Sequence, residues 1–120
     1  NPSEELMAPV VQLIKEEGIY REYGVTIGKL AAHADIPEYR LRQMINSGMG
    51  FRNFNDFLNS FRIQEASQRL VDPKEVRIPV LTIALDVGFR SISSFNKAFK
   101  DFHGVTPTAF RKQNLPTDTR

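Results

Sequence analysis

The sequence predicts an all-α fold in which two similar pairs of helices are joined by one long linker helix, with about seven helices in total. Three observations lead to this prediction. Apolar residues recur at helical spacing in almost every segment, and no stretch keeps the alternation of a strand for long. Glycines and prolines separate these segments. One pattern of two helices and a turn occurs twice, at 29–45 and at 82–99.

Length and composition bound the kind of protein. The 120 residues allow one domain or two very small subdomains, and 41% hydrophobic with 25% charged residues is ordinary globular composition. The lack of cysteine excludes disulfides and thiolate metal sites and favours a reducing compartment. No apolar run approaches the roughly 18 residues of a membrane span. We therefore expect a cytoplasmic protein. Because the chain begins at Asn1, we also expect a piece of something longer, whose missing part is open to membrane attachment.

The N-terminal region, 1–24, is predicted to hold one helix and a connector. The helix is expected over 9–17, because proline is tolerated best in the first turn and Pro9 would then stand there. A start at Ser3 is the alternative. Gly18 is the predicted end of this helix.

Residues 25–52 are predicted to form the first pair of helices. Thr26 is a suitable N-cap for a helix that runs through Ala34. The turn at 35–37 brings a proline to the start of the next helix, which ends near 48–50. The apolar face of that second helix is expected to consist of Leu41, Met44 and Ile45.

A long helix at 53–70, within a linker region 53–71, is predicted to connect the two pairs. Its wide apolar stripe is interpreted as core shared by both pairs. The alternative is a protein-interaction module whose stripe binds a partner helix. The stripe consists of Phe54, Phe57, Leu58, Phe61, Ala66 and Leu70.

Residues 72–113 are predicted to form the second pair and a closing helix, followed by a flexible tail at 114–120. The pair consists of helices at about 79–86 and 91–102, and Pro107 opens the closing helix. The second helix is expected to be anchored by Phe89, Phe95 and Phe99.

The two pairs follow one plan. Ala31 matches Ala84, and each must be small because a larger side chain would hold the two helices apart. Gly88 stands where the turn is expected to need a positive φ, and Asp35 stands at that place in the first pair. Two helices joined by such a turn form a helix-turn-helix, so two helix-turn-helix subdomains are predicted.

The second helix of such a subdomain lies in the DNA major groove and presents its N-terminal part to the base edges. Basic residues outnumber acidic ones in two separate blocks, 26–52 and 88–113, which suits a polyanion that touches the protein twice. We therefore predict sequence-specific binding of double-stranded DNA, against the alternative that these side chains only form solvated helix surfaces. The base-reading residues are expected to be Tyr39, Arg40, Arg42, Gln43, Ser91, Ser93, Asn96 and Lys97. Phosphate contacts are expected from Thr26, Asn46, Arg90, Lys100 and Arg111.

No catalytic site is predicted. His33 and His103 are far apart in sequence and lack the ligand spacing of a metal site. The segment SGMGF at 47–51 lacks the Gly-Lys-Ser/Thr ending of a phosphate-binding loop. We expect a protein that is not an enzyme and needs no cofactor or metal.

The segment IALDVGFRSISSFNKAFKDFHGVTPTAFR at 83–111 resembles the signature of the AraC/XylS family of bacterial transcription regulators. The likeness covers about 25–112 and is to the C-terminal DNA-binding domain of the family. It implies two recognition helices in successive major grooves, about 34 Å apart. It also implies RNA polymerase as a second partner and a sensor or dimerisation domain that precedes this segment. Arg90, Pro79 and an extra residue after Gly50 depart from the family pattern.

Overall fold

The computed structural model describes the backbone of residues 2–115 and the side chains of residues 4–115, so that most of the predicted tail lies outside the described residues. Seven α-helices and no strand occur in this range, which confirms the all-α prediction. The chain divides into two compact units, unit 1 (Asn1–Phe61) and unit 2 (Arg62–Arg120), with the boundary inside the long helix. The helices are α1 (Pro2–Glu17), α2 (Ile27–Ala34), α3 (Glu38–Gln43), α4 (Phe54–Leu70), α5 (Val80–Asp86), α6 (Ile92–His103) and α7 (Pro107–Asn114).

The first helix begins at Pro2, next to the alternative start at Ser3, so Pro9 lies inside α1 rather than in its first turn as preferred. An interior proline lacks the N–H that would bond to the carbonyl four residues earlier, and costs about 3 kcal/mol. The first part of the helix compensates by burying Met7 completely, in line with Val10 and Ile14. Full burial of such a side chain contributes about 1.5–3 kcal/mol each. As predicted, Gly18 ends the helix with a left-handed backbone, at φ 64°.

Unit 1 has its core between α1, α2, α3 and the first part of α4. Tyr20 lies on a short 3-10 turn after α1, is buried, and stacks on Phe61 with ring centroids 5.9 Å apart. Phe61 in turn meets the edge of Phe57 at 5.1 Å. The core consists of Met7, Val10, Ile14, Tyr20, Val25, Leu30, Ala31, Leu41, Met44, Ile45, Phe57, Leu58 and Phe61.

The helix that begins with α3 widens into a π-helical turn, Met44–Gly48, which the sequence did not predict. The N–H of Met49 donates to the carbonyl of Met44, five residues earlier, at 2.8 Å. Met44 and Ile45 are both buried as predicted, while Asn46 next to them is exposed. Gly50, at φ 79°, then ends the segment. The π turn therefore contributes buried side chains to the core and exposed side chains to the outer surface of the second helix of the pair.

Unit 2 has its core between the last part of α4 and helices α5, α6 and α7. Phe95 is fully buried and meets Phe89 at 5.2 Å and Phe99 at 5.7 Å between ring centroids, which confirms the predicted aromatic anchors. The ring centroid of His103, at the end of α6, lies 4.5 Å from that of Phe99 and 4.9 Å from that of Phe110. The core consists of Ile63, Ala66, Leu70, Ile83, Ala84, Val87, Phe89, Phe95, Ala98 and Phe99.

The apolar stripe of α4 is core, as the preferred interpretation held. Phe57, Leu58 and Phe61 are buried in unit 1. Ile63 and Leu70, on the same helix, are buried in unit 2. One continuous helix thus supplies part of each core, and these buried side chains are not available to a partner helix.

Within residues 2–115, no helix is at once long and apolar enough to span a bilayer.

The two predicted turns have the same backbone hydrogen bonds. The N–H of Ile36 donates to the carbonyl of Ala31 at 2.9 Å, and the N–H of Phe89 donates to that of Ala84 at 3.0 Å. Each turn has a second bond. The N–H of Asp35 donates to the carbonyl of residue 32 at 3.2 Å, and the N–H of residue 88 donates to the carbonyl of residue 85 at 3.2 Å. Both are the six-to-one and five-to-two bonds of a Schellman motif.

The backbone at the turn also agrees between the units. Asp35 has φ 57° and is the one residue other than glycine with positive φ in the described chain, and Gly88 has φ 117°. Ala31 and Ala84 are both buried, as their predicted place between two helices requires. The internal repeat is therefore confirmed in the geometry of both helix pairs.

Candidate nucleic-acid interface

The outer face of α3 carries the predicted readers of unit 1. Leu41 is fully buried, so the helix periodicity directs Tyr39, Arg40, Arg42 and Gln43 outward, and all four are exposed. Tyr39 exposes 68% of its surface. A large aromatic ring with so little packing is free to contact a ligand.

Two open hollows flank α3 and the π turn and bring most of these side chains together. One has a volume of about 600 Å³ and contains Tyr39, Arg42 and the predicted phosphate contact Asn46. The other, of about 330 Å³, lies between α1 and α3, and both Leu6 and Arg40 line it. The first hollow is lined by Glu38, Tyr39, Arg42, Gln43, Asn46 and Ser47, and the second by Leu6, Arg40, Gln43, Met44, Ser47 and Gly48.

The sequence interpretation missed two neighbours of these readers. Leu6 is 55% exposed and borders the face from α1. Ser47 lines both hollows from the π turn. Neither carried a signal in the sequence, because α1 was expected to begin after Leu6 and the π turn was not expected at all.

The start of α6 is built around Ser91, which is its N-cap. The Ser91 hydroxyl oxygen accepts the N–H of Ser94 at 3.1 Å, and the two hydroxyl groups lie 2.9 Å apart. The cap satisfies one of the free N–H groups of the first turn. Ser91 is exposed, so the predicted base reader also fixes where the helix begins.

The outer face of α6 is polar and basic. Ser93, Asn96, Lys97 and Lys100 are exposed, opposite the buried phenylalanines of the same helix. The ammonium group of Lys97 donates to the Asp101 carboxylate at 3.3 Å. This exposed pair is worth little in stability, so Lys97 can exchange its carboxylate for another acceptor at small cost.

Two predicted phosphate contacts lie near the starts of helices. Thr26 is the N-cap of α2, and its hydroxyl oxygen accepts the N–H of Lys29 at 3.1 Å, which confirms the predicted cap. A hydroxyl group that accepts one bond still has its own O–H to donate. Arg90 is exposed in the turn immediately before Ser91. Both positions therefore place a donor beside the free N–H groups of a helix start.

Arg111 occupies a different place from the predicted one. Its guanidinium donates from Nε to the carbonyl of Leu70 at 3.0 Å, from Nη1 to that of Ile78 at 2.8 Å, and from Nη2 to that of Glu75 at 3.3 Å. All three nitrogens thus bind backbone oxygens of the segment between α4 and α5. The structure gives Arg111 the role of holding this segment, which the charge pattern does not predict, while a phosphate contact from Arg111 stays a prediction.

Two other arginines of unit 2 are structural and were not singled out from the sequence. Arg62 is buried with its guanidinium 5.9 Å from the centre of the Phe89 ring, and burial lowers its pKa. Burial also acts to lower the pKa of Arg69, but hydrogen bonds to Asp86 and Glu75 outweigh it, and the pKa is raised. Both arginines stay charged, and these contacts lie within unit 2.

Two exposed polar helix faces, each placed behind the same tight turn, define a DNA-binding protein of the helix-turn-helix class. The family described as "Helix-turn-helix domain" matches residues 30–113. The chain belongs to this family, as a helix-turn-helix domain of the AraC type. The prediction of sequence-specific DNA binding by a transcription regulator is confirmed at this level.

Relatives agree with this assignment. The HTH-type transcriptional regulator MtrA of Neisseria gonorrhoeae is 34% identical over 72% of this chain, which spans only 28% of MtrA. The probable transcription factor PqrA of Proteus vulgaris is 27% identical, over 87% of this chain and 82% of PqrA. The C-terminal domain of AraT, a response regulator from Geobacillus stearothermophilus, superposes with a TM-score of 0.73 at 22% identity, over 95% of this chain and 93% of that domain. This last likeness shows a shared fold.

Proposed function

We propose that the chain binds double-stranded DNA through α3 and α6, each in a major groove, as the DNA-binding part of a transcription regulator. One observation carries the proposal. The same Schellman turn, with the same two hydrogen bonds, presents an exposed polar helix in each unit. A helix held behind such a turn is the element that enters the major groove in helix-turn-helix proteins. The resemblance to the AraC/XylS family supports successive grooves for the two helices.

The chemistry of α3 suits base discrimination. The forked donors of Arg42 match the two acceptors of guanine, and the amide of Gln43 matches adenine. A good bidentate pair of this kind discriminates against the wrong base by about 1–3 kcal/mol. We assign Tyr39 and Arg40 to base edges on the same face.

The chemistry of α6 differs, because its predicted readers Ser91, Ser93 and Asn96 are short. Short side chains reach base edges only when the helix lies deep in the groove. Lys97 adds a longer donor to the same face. Phosphate contacts from the two units fix the docking, and we assign them to Thr26, Asn46, Arg90 and Lys100.

The remaining parts of the proposal concern the parent protein. The chain spans 28% of MtrA, which supports a parent with a further sensor or dimerisation domain. We propose that the parent acts in the cytoplasm and that RNA polymerase is its second partner once it is bound to DNA. In this proposal residues 25–52 and 72–113 are the two reading subdomains and residues 53–71 link them.

The test is selection of preferred duplexes from a random pool, followed by binding of variants. We expect a bipartite, non-palindromic site whose halves lie about one helical turn, roughly 10 base pairs, apart. Arg42→Ala should weaken binding to the selected site about 5- to 150-fold and binding to random DNA far less. Arg52→Ala is the matched control, since Arg52 is an 81% exposed arginine of the same unit outside the α3 face.

Two outcomes count against the proposal. An equal loss on selected and random DNA would mean that Arg42 touches only phosphate. Affinity that hardly changes between low and high salt would point to an apolar protein partner, because DNA binding through Z phosphates follows a log–log slope of about −0.9Z.

A further inference from the structure

The carboxylate of Glu38 lies between two helices of unit 1. Its Oε2 accepts a hydrogen bond from Nη2 of Arg42 at 3.0 Å, one turn further along α3. Its Oε1 lies so close to Gly28 of α2 that a methyl group on Gly28 would be 2.8 Å from it. The absence of a side chain at Gly28 therefore leaves the space that this carboxylate occupies.

This arrangement favours one direction of the Arg42 side chain, because the carboxylate that pairs with it also lies against α2. An exposed arginine samples many rotamers, and on a helix that faces DNA it can reach a phosphate as readily as a base. Bidentate recognition of guanine needs the guanidinium fork in one orientation. The Glu38 carboxylate accepts a bond from Nη2 alone and lies against α2, so it holds the guanidinium from one side.

Stability explains only part of the placement of Glu38, which as an acid in the first turn of α3 interacts favourably with the helix dipole. Its pair with Arg42 is exposed on both sides, with side-chain exposures of 49% and 52%. An exposed pair four residues apart stabilises a helix only slightly. An acid in the DNA-facing surface also repels phosphate. The charge is unfavourable for affinity, so its value lies elsewhere.

We propose that Glu38 is a specificity-determining positioning residue, which holds the Arg42 guanidinium for base reading and keeps it from the phosphates. The inference rests on the proposed function, because it assigns a role within the α3 face. It predicts that Glu38 raises discrimination between DNA sequences while it lowers general affinity for DNA.

The protein supplies a matched control in the pair Arg52–Asp56. It has the same four-residue spacing and the same 3.0 Å contact in the same unit. It lies outside α3, and Arg52 is not an assigned reader. Glu38→Ala and Asp56→Ala thus each remove one carboxylate and one arginine pair from unit 1.

A second variant tests the seat on α2. Gly28→Ala displaces the end of a flexible side chain, and alanine is favoured over glycine in a helix. Thermal stability should therefore be unchanged or higher, while the Glu38 carboxylate must shift from its present position. A purely structural role for Glu38 would not move specificity and stability in opposite directions.

The measurement is the ratio of affinities for the selected duplex and for random duplex, at one salt concentration, in the full chain. We expect Glu38→Ala and Gly28→Ala to lower this ratio at least about fivefold, the lower end of what one bidentate contact supplies. Asp56→Ala should leave it within about twofold. In the background of Arg42→Ala, Glu38→Ala should lower the ratio no further, because Glu38 acts through Arg42.

The outcomes separate the two proposals. A wild-type chain without any preferred duplex contradicts the proposed function itself. A preferred duplex whose ratio survives Glu38→Ala overturns the role of Glu38 alone. A further loss in the Arg42→Ala background also overturns it, since Glu38 would then contact a base directly.

Discussion

Substitution of Arg111 tests whether the guanidinium acts inside unit 2 or on DNA. Its three nitrogens donate to the carbonyls of Leu70, Glu75 and Ile78, so one side chain holds the end of α4 and the approach to α5. Arg111→Lys keeps the positive charge but replaces the planar guanidinium by an ammonium group, whose three N–H donors are all on one nitrogen. A lysine ammonium cannot serve three carbonyls that lie along the edge of a guanidinium.

The magnitude follows from the number of bonds. Each net hydrogen bond is worth about 1 kcal/mol, so loss of all three in Arg111→Ala should cost about 3 kcal/mol. Arg111→Lys should keep one and cost about 2 kcal/mol. For a unit of this size each kcal/mol lowers Tm by roughly 4–8 °C, which gives a fall of about 12–24 °C for Arg111→Ala.

Thermal unfolding followed by circular dichroism measures the change, and amide hydrogen exchange shows whether residues 70–80 open first. Lys112→Ala is the control, because Lys112 is an exposed base on the same helix, and it should leave Tm within a few degrees. If Arg111→Lys leaves Tm unchanged, the three-carbonyl clamp does not stabilise unit 2. If Arg111→Ala lowers DNA affinity at unchanged Tm, Arg111 is a phosphate contact, as the charge pattern predicted.

Two further changes test the repeat. Ala84→Leu overpacks a fully buried site and should lower the free energy of unfolding, measured by urea titration, by about 1–3 kcal/mol. Thr82→Leu, on the exposed side of the same helix, should change it little. Equal urea midpoints for the Ala84→Leu variant and the wild type would show that the second pair does not pack through Ala84. Gly88→Ala should destabilise unit 2 by about 1 kcal/mol or more, because Gly88 has φ 117°. Asp35→Gly should stabilise unit 1 by up to about 1 kcal/mol, because glycine adopts φ 57° without the steric cost that aspartate has there. Changes of the same sign at the two positions would contradict the equivalence of the turns.

The sequence predicted the helix-turn-helix pairs well because their signals are local. A cap such as Thr26, a turn residue such as Gly88 and an apolar face such as that of α6 each act within one or two helical turns. The match between Ala31 and Ala84 added information from a second copy of the same plan. Local signals repeated at a fixed spacing were enough for the fold class and for the exposed faces.

The errors have a common physical origin in contacts between distant residues. The start of α1 depends on burial of Met7 in a core made by other helices, which outweighs the local cost of Pro9. The role of Arg111 depends on carbonyls at least 33 residues away in the chain. A count of basic residues treats Arg111 and Arg42 alike, and only the positions of their acceptors distinguish them.

The same limit applies within the candidate site. Helical periodicity is sufficient to place Arg42 on the outer face of α3, because Leu41 next to it must be buried. The four-residue spacing allows Glu38 to pair with Arg42, but it does not reveal the space beside Gly28 of another helix in which the Glu38 carboxylate lies. An assignment of base readers from the exposed face alone therefore treats every long polar side chain as equally free. The free energy of recognition depends on which of them are already oriented before DNA arrives, and in unit 1 the structure identifies Arg42 as oriented through Glu38.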